Sequence, residues 1–169
     1  MRWERLFADL EGSLEAEERR DFAAEVAERA QAERASLELA SRLAAMVGQQ
    51  TTFTTRAGRL VSGTLTEVAQ DWVLLASHRN ETLVPIAAIA AVHGLEQRAA
   101  ALTAVERRMR IGTALRALAD AGAHARVETD GGRWDGVIEA VGADHLDLDT
   151  VGGRVTLTIG SIVAVVADR

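Results

Sequence analysis

Residues 63–77, GTLTEVAQDWVLLAS, decide the fold of this chain because residues 136–150, GVIEAVGADHLDLDT, repeat their pattern. The second stretch lies 73 residues downstream and aligns with the first without a gap. The shared positions are the apolar face, the leading glycine and one turn aspartate, Asp71 in the first stretch and Asp144 in the second. Repeats of this kind mark one structural unit that a chain carries more than once. The two stretches therefore predict a duplicated β-rich module.

The correspondence extends on both sides of these stretches. The closing strands share isoleucines and valines at the same offset: Ile86, Ile89 and Val92 match Ile159, Ile162 and Val165. The preceding segments match after a one-residue shift, which pairs Leu39, Leu43 and Met46 with Ile111, Leu115 and Leu118. Each copy is thus predicted to be a helix followed by five short strands.

Glycines and a proline mark the special backbone positions of the two copies. Gly58 and Gly131 are predicted to supply turns with positive φ. Gly63 and Gly136 fall inside strands, where a glycine permits the sharp bend of a small barrel. Pro85 lacks a backbone N–H, so it favours an edge or poorly paired position for its strand.

Three further segments predict helices. Trp3, Leu6, Phe7 and Leu10 form one apolar stripe of a short amphipathic helix. Residues 14–47 contain no glycine or proline, and they predict one long helix ending near Gly48. Residues 95–122 predict another helix. The domain organisation expected is a helical arm over 1–36, a first copy over 37–94, a linker helix over 95–123 and a second barrel over 124–169.

Composition limits the classes of function. The chain of 169 residues has no cysteine, and its four histidines are scattered, so we expect neither a disulfide nor a metal site. No nucleophile motif or phosphate-binding loop is visible, so we expect no enzyme and no cofactor. The net charge of −6 argues against broad nucleic-acid binding. The charged N-terminus lacks the apolar run of a signal peptide, and we expect a cytoplasmic location.

The predicted unit resembles the Sm-like (LSm) fold, and its closest resemblance is to the bacterial Hfq branch. The residues that carry the resemblance are a G-x-L/I-x-x-V core, an apolar strand after it, and a closing I-x-x-I-x-x-V, in both copies. It implies an α+β chain of two tandem five-stranded antiparallel Sm-like or SH3-like barrels, each preceded by a helix. It also implies RNA metabolism and assembly into a homo-oligomer.

The RNA-binding motifs of that family are missing from both copies. Hfq proteins carry Tyr-Lys-His-Ala before the last strand, whereas residues 85–88 read PIAA and residues 158–161 read TIGS. Neither the Asp-x-x-x-Asn nor the Arg-Gly motif of other Sm proteins is present. The family's RNA pocket therefore cannot be carried over to these residues.

Several residues remain as candidates for binding RNA or a partner. The arginine-rich helix is a candidate phosphate-binding patch, and a solvated surface is the alternative; the residues concerned are Arg107, Arg108, Arg110 and Arg116. Trp72 is a candidate for base stacking or for the core. His78, Arg79 and Asn80 form a polar loop that either contacts a ligand or makes an ordinary turn. An oligomer or a partner helix could bury an apolar set: Trp3, Leu6, Phe7, Leu10, Phe22 and Val26.

Two functions are therefore expected from the sequence. The first is a non-enzymatic, RNA-associated Sm-like protein that binds single-stranded RNA. The alternative is a protein-interaction or oligomerisation scaffold without nucleic-acid binding.

Overall fold

The computed structural model describes Gly12, residues 15–28 and residues 38–168. The chain divides into two compact units, residues 1–37 and 38–169, and each is described here by itself. In the first unit, residues 15–28 form helix α1. Among the described residues no helix combines the length and apolar character that crossing a membrane requires.

The second unit begins with a short helix, α2 (Leu39–Ala44). Glu38, which precedes it, has an extended backbone with φ −77° and ψ 151°. The prediction of one continuous helix over 14–47 is therefore wrong at Glu38. The apolar residues Ala40 and Leu43 of α2 are buried, so this helix is held by its contact with the strands that follow.

Five strands follow α2, as the sequence predicts. They are β1 (Gln50–Thr55), β2 (Leu60–Val68), β3 (Trp72–Ala76), β4 (Asn80–Pro85) and β5 (Ile89–His93), with one 3₁₀ turn at Ile86–Ala88. The second copy repeats this order: β6 (His124–Thr129), β7 (Gly132–Val141), β8 (His145–Thr150), β9 (Gly153–Thr158), a 3₁₀ turn at Ile159–Ser161 and β10 (Ile162–Asp168). A register shift occurs between Leu65 and Glu67 and again at the equivalent positions, Ile138 and Ala140.

The connection between the copies is less helical than predicted. It contains α3 (Ala104–Arg108) and α4 (Ile111–Asp120), whereas residues 95–103 form no helix. Thr103 caps α3 through a capping box with Glu106, and the helix ends at once because Met109 is extended. The predicted linker helix is therefore two short helices that meet at Met109 and Arg110.

All ten strands belong to one antiparallel sheet, in the order β5-β1-β2-β3-β4-β10-β6-β7-β8-β9. The two copies meet where β10 pairs with β4, over residues 165–168 and 80–83. The sheet is not closed. In the described part of the chain, β5 pairs with β1 alone and β9 pairs with β8 alone, so these two strands are its edges.

Two hydrophobic clusters form the core of this unit. One lies within the first copy, around Phe53, Leu43 and Leu65. The other contains second-copy residues such as Leu115 and Leu148, and it also includes three buried residues from the first copy, Ala69, Trp72 and Leu83. The second cluster therefore spans both copies, and burial of apolar surface joins them.

The glycines with positive φ and the place of Pro85 in the sheet differ partly from the predictions. Positive φ is found at Gly58 (74°), as predicted, but in the second hairpin it falls on Gly132 (153°) and not on Gly131. The turn between β6 and β7 is shorter than the turn between β1 and β2, so the two copies do not align there without a gap. Pro85 does not mark an edge strand, because β4 lies between β3 and β10 and its pairing with β10 stops at Leu83.

Candidate functional site

The contact between the two copies, which we call the seam, is built from the outer face of β3 and β4. β3 reads WVLLA, so its outward residues are as apolar as its inward ones. Trp72 and Leu83 are each 4% exposed, and the partly buried Leu74 packs against the same cluster. Helix α4 and strand β10 of the second copy line the same face, through residues such as Leu118 and Val165. The first copy therefore presents a hydrophobic face that the second copy covers.

Asp71 fixes the beginning of α4 at the seam. Its Oδ1 accepts a hydrogen bond from the backbone N–H of Ile111 at 3.1 Å. Its Oδ2 lies 3.8 Å from a guanidinium nitrogen of Arg110. A carboxylate at this position accepts a hydrogen bond from a backbone N–H that has no partner within the helix. Its negative charge also interacts favourably with the positive end of the helix dipole. The turn residue Asp71 thus acts as a helix cap across the seam.

Arginine side chains from the β1–β2 turn hold the second copy as well. The Nε of Arg56 donates to Oδ1 of Asp130 at 2.9 Å, and its Nη2 donates to the carbonyl oxygen of Gly160 at 2.7 Å. Arg59 lies 3.3 Å from the largely buried carboxylate of Glu128. Charge-assisted hydrogen bonds of this kind add directional contacts to the apolar seam.

The equivalent face of the second copy is polar. Three polar residues, His145, Asp147 and Thr156, occupy the places of three apolar seam residues, Trp72, Leu74 and Leu83. Thr156 donates a hydrogen bond to Oδ1 of Asp147 at 2.6 Å. Asp149, the next outward residue of β8, is exposed. We call this surface, together with the edge of β9 that pairs with no strand among the described residues, the β8–β9 edge.

Asp144 occupies the place of Asp71 on this edge, but it caps no helix in the described part of the chain. Its Oδ1 lies 2.8 Å from Nδ1 of His145. This hydrogen bond is the largest cause that raises the pKa of His145 above 6.5 and lowers the pKa of Asp144 below 3.8. Both groups are exposed, and they form an ion pair only when His145 is protonated.

The arginine candidates lie on two different helices. Arg107 and Arg108 end α3, Arg110 precedes α4, and Arg116 lies within α4. All four are exposed. Only Arg110 forms an ion pair, with Asp71, among the residues that the structure describes. Glu106, which lies next to Arg107 in the sequence, takes part in the capping box of α3.

The remaining candidates are divided among different places. Trp72 is buried at the seam, which does not agree with a base-stacking role, and its Nε1 has no hydrogen-bond partner in the described structure. His78 and Arg79 lie in the turn between β3 and β4, and Asn80 begins β4. The N–H of Ser77 closes this turn by donating to the Asn80 carbonyl oxygen. The structure does not bring this turn into one cluster with the arginines.

The helical candidates fall partly outside the described structure. Phe22 and Val26 lie one turn apart on α1 and are 68% and 47% exposed. The other members of that predicted set, Trp3, Leu6, Phe7 and Leu10, lie outside the described residues.

Sequence reasoning missed the seam, although one signal was available. A strand that is covered on both faces reads as a continuous apolar run, and a half-exposed strand alternates. WVLLA is continuous over 72–76, whereas HLDLD alternates over 145–149. That difference marks the outer face of the first copy as covered and that of the second copy as open.

Comparison with known proteins gives no relative from which a function could be transferred. The chain matches no protein-family model, and the search of curated proteins found no significant match.

Proposed function

We propose that this chain is a non-enzymatic tandem Sm-like protein that serves as an interaction scaffold, and that its β8–β9 edge receives an extended, basic segment of a different protein. The observation that carries the proposal is the difference between two equivalent edges. The β4 edge is filled within the chain by β10, while the β9 edge is polar and is unpaired in the described part of the chain. The pairing of β4 with β10 supplies a precedent for adding an antiparallel strand to such an edge.

The proposed Sm-like units are two small barrels, one formed by β1–β5 and the other by β6–β10. Gly63 and Gly136 support this interpretation, because each permits a close approach of two neighbouring strands at equivalent positions. The repeated register shifts support it too, since bulges increase the bend of a strand.

Charge favours a basic partner. The β8–β9 edge carries Asp144, Asp147 and Asp149 on its outward surface. At the seam the equivalent Asp71 binds a backbone N–H and an arginine. A partner that supplies a cationic side chain near Asp144 would reproduce that contact. The exposed Phe22 and Val26 of α1 offer a second, apolar contact for a partner.

A second copy of this chain fits the edge less well than a different protein does. With α2 in the place of α4, Glu38 would take the position of Arg110 and would face Asp144, a like charge. The positions equivalent to Ala167 and Asp168 are Gly94 and Leu95, which lie beyond the end of β5 at His93. Gly94 has φ 71° and turns the chain there. These features disfavour head-to-tail assembly.

The chain also covers the face of α2 that a neighbouring copy would need. The Nη2 of Arg42 donates to the carbonyl oxygen of Glu96 at 2.8 Å, and the N–H of Ala100 donates to the carbonyl oxygen of Ser41 at 2.8 Å. Leu102 is buried against the first core. We therefore expect sedimentation equilibrium to give the monomer mass of 18.1 kDa rather than the homo-oligomer that the resemblance implies.

Partner capture tests the proposed edge. Full-length protein and an Asp144→Arg/Asp149→Arg variant would be compared as bait, with Asp21→Arg/Asp120→Arg as a control of equal charge change. We expect the Asp144→Arg/Asp149→Arg variant to lose the partner and the control variant to retain it. When a basic residue of the partner is replaced by glutamate, binding to the Asp144→Arg/Asp149→Arg variant should return. Equal retention by both variants, or a self-associated species that the edge variant dissociates, would reject the proposal.

RNA association is a second candidate function. Arg107, Arg108 and Arg116 favour it, because they are exposed and form no ion pair among the described residues. The test is fluorescence anisotropy with uridine and adenosine 12-mers at low salt. Replacing these three arginines by alanine should abolish binding, and replacing Arg20, Arg98 and Arg133 should not. Equal binding by both triple variants would point to non-specific attraction.

A further inference from the structure

Strand β9 presents a row of backbone groups on the side away from β8. The N–H of Ile159 donates to the Asp144 carbonyl oxygen at 2.8 Å, and the pairing of β8 with β9 has no register shift. Because hydrogen-bonded pairs alternate along an antiparallel ladder, the N–H and C=O groups of every second β9 residue point away from β8. These residues are Arg154, Thr156 and Thr158, and β9 pairs with no second strand in the described part of the chain.

The equivalent row on β4 is one donor shorter. The outward residues of β4 are Glu81, Leu83 and Pro85, and β10 pairs with the first two. Pro85 has no N–H and cannot donate to an added strand. Thr158 occupies the place of Pro85 and has this N–H. The β9 edge can therefore hold a longer strand than β10 forms on β4.

The backbone conformation at these two positions is nearly the same. Pro85 has φ −61° and ψ 134°, Thr158 has φ −75° and ψ 132°, and each precedes a 3₁₀ turn. Both φ values fit a proline ring, which fixes φ at about −65°. A proline can therefore replace Thr158 without a change of backbone conformation.

An added strand would place alternate side chains against the core of the second copy. Val155 packs against the hydrophobic cluster of that copy, and Leu157 is a buried member of it. Residues directly opposite each other in a ladder project from the same face of the sheet. Partner residues opposite Val155 and Leu157 therefore meet apolar surface, where β-branched aliphatic side chains fit best. On the β4 edge, β10 places Val166 opposite Thr82, the equivalent of Val155.

The other side chains of an added strand would lie on the polar outer face. A residue opposite Thr156 would be two strand spacings, or about 10 Å, from Asp147, and a lysine or arginine can reach over the short threonine side chain. A residue opposite Thr158 would lie toward Asp144, which favours a second cation. Arg154 is itself a cation, so a positive charge opposite it is unfavourable.

We propose that the β9 edge binds a five-residue extended segment, antiparallel to β9, through backbone hydrogen bonds at Arg154, Thr156 and Thr158. From its N-terminus the segment carries a cation, a β-branched aliphatic residue, a second cation, a second β-branched aliphatic residue and an uncharged residue. This inference rests on the proposed scaffold function, because it specifies which partner segment the β8–β9 edge receives.

Three peptides test this pattern on the full-length chain. The probe is acetyl-Ser-Arg-Val-Arg-Val-Thr-Ser-amide, the second peptide has the same composition in the order Ser-Val-Val-Arg-Arg-Thr-Ser, and the third replaces both arginines of the probe by glutamate. Amide NMR shifts and hydrogen exchange would follow binding. We expect the probe to bind at least about tenfold more tightly than either reference. It should also slow hydrogen exchange at Arg154, Thr156 and Thr158.

Two variants separate the backbone donor from the side chain at position 158. Thr158→Pro and Thr158→Ala both remove the hydroxyl group, but only the proline removes the N–H. We expect Thr158→Pro to weaken the probe about two- to tenfold, as the loss of one hydrogen bond implies, and Thr158→Ala to weaken it less than about twofold. An unchanged melting temperature would show that Thr158→Pro is folded.

N-methylated probes test the ladder even if Thr158→Pro unfolds. A methyl group on the backbone nitrogen of the arginine opposite Thr156 removes a donor to β9, and we expect it to abolish binding. A methyl group on the nitrogen of the valine opposite Val155 should be tolerated, because that N–H points away from β9. Equal effects of the two methyl groups would contradict the proposed register.

Three further results would overturn the proposal. One is the absence of saturable binding by the probe. Another is equal affinity for the probe and the reordered peptide, because that result would mean attraction by charge alone. The third is a self-associated form of the chain that Thr158→Pro dissociates, which would assign the edge to a second copy.

Failure of this inference can be told apart from failure of the scaffold function. A captured partner that is lost in Asp144→Arg/Asp149→Arg but binds Thr158→Pro and Thr158→Ala equally would support the scaffold function and reject the ladder. A probe that binds as expected, together with a captured partner that ignores the charge reversal, would support the ladder and reject the scaffold function at this edge.

Discussion

Gly63 and Gly136 leave no room for a side chain. A Cβ on Gly63 would lie 2.8 Å from the Ala76 carbonyl oxygen, and one on Gly136 would meet the Asp149 carbonyl oxygen still more closely. We expect Gly63→Ala and Gly136→Ala each to lower the free energy of unfolding by about 1–3 kcal/mol, because the strands must separate. Urea denaturation measures this. Gly160→Ala is the control, since its Cβ would contact nothing within 4 Å, and an equal loss there would contradict the explanation.

Leu74 and Asp147 occupy equivalent positions with opposite chemistry. Leu74 packs into the cluster at the seam, while Asp147 lies on the half-open outer face of the second copy. We expect Leu74→Asp to destabilise the protein by about 3 kcal/mol, because it places a charge against α4. Asp147→Leu should change the free energy of unfolding by less than about 1 kcal/mol. Thermal unfolding of both variants checks the pair, and similar losses would mean that the two faces are equally covered.

The Asp144–His145 pair predicts a contribution to the free energy of unfolding that is present only between the lowered pKa of Asp144 and the raised pKa of His145. The pKa of His145 in the folded protein is raised from 6.5. Its contribution to the free energy of unfolding is therefore complete below pH 6.5, and it is lost as the pH rises through the folded pKa. Because the pKa of Asp144 is lowered from 3.8, its contribution is lost as pH falls through that lower value. NMR titration should therefore give a His145 pKa above 6.5. Asp144→Asn should lower it, and an unchanged value would show that the hydrogen bond is not its cause.

The cap of α4 can be tested by changing Asp71, the residue that fixes the beginning of this helix. Asp71→Ala removes the hydrogen bond to Ile111 and the ion pair with Arg110. We expect a loss of about 1 kcal/mol, or roughly 2–4 °C in Tm. Asp144→Ala is the matched control, because the equivalent aspartate caps no helix among the described residues, and its Tm at pH 7 should fall by less than that of Asp71→Ala, since its partner His145 is exposed. A similar fall in both variants would argue against capping as the role of Asp71.

The strands could be predicted from the sequence, whereas the helices could be predicted only in part. Alternation and turn residues fix the strands locally, so all five strands of each copy were found. Helical propensity favours residues 14–47 and 95–122 throughout, yet Glu38 and Met109 are extended. Tertiary contacts decide these breaks: Gln70 donates to Glu38, and Asp71 caps the helix that begins after Met109. Propensity contains no information on such contacts.

The repeat predicted two similar units, but not the way in which they join. Its alignment depends on inward-facing residues, because these form the core of each copy. The seam depends on the outward residues, and there Trp72, Leu74 and Leu83 differ from their equivalents. Trp72 was therefore a candidate for stacking on sequence grounds and is a core residue in the structure. The β8–β9 edge was missed for the same reason, since an open edge is defined by what the rest of the chain does not cover.

The shared core predicts that both copies unfold together. Trp72 belongs to the first copy and Trp134 to the second, and both contact the cluster that spans the seam. Because β10 also pairs with β4, loss of either copy exposes the apolar face of the other. Single-tryptophan variants that retain only Trp72 or only Trp134 should therefore give the same urea midpoint, and circular dichroism should follow the same transition. Two separate midpoints would show that each copy is stable alone, and Leu83→Ala should then shift only the Trp72 signal rather than both.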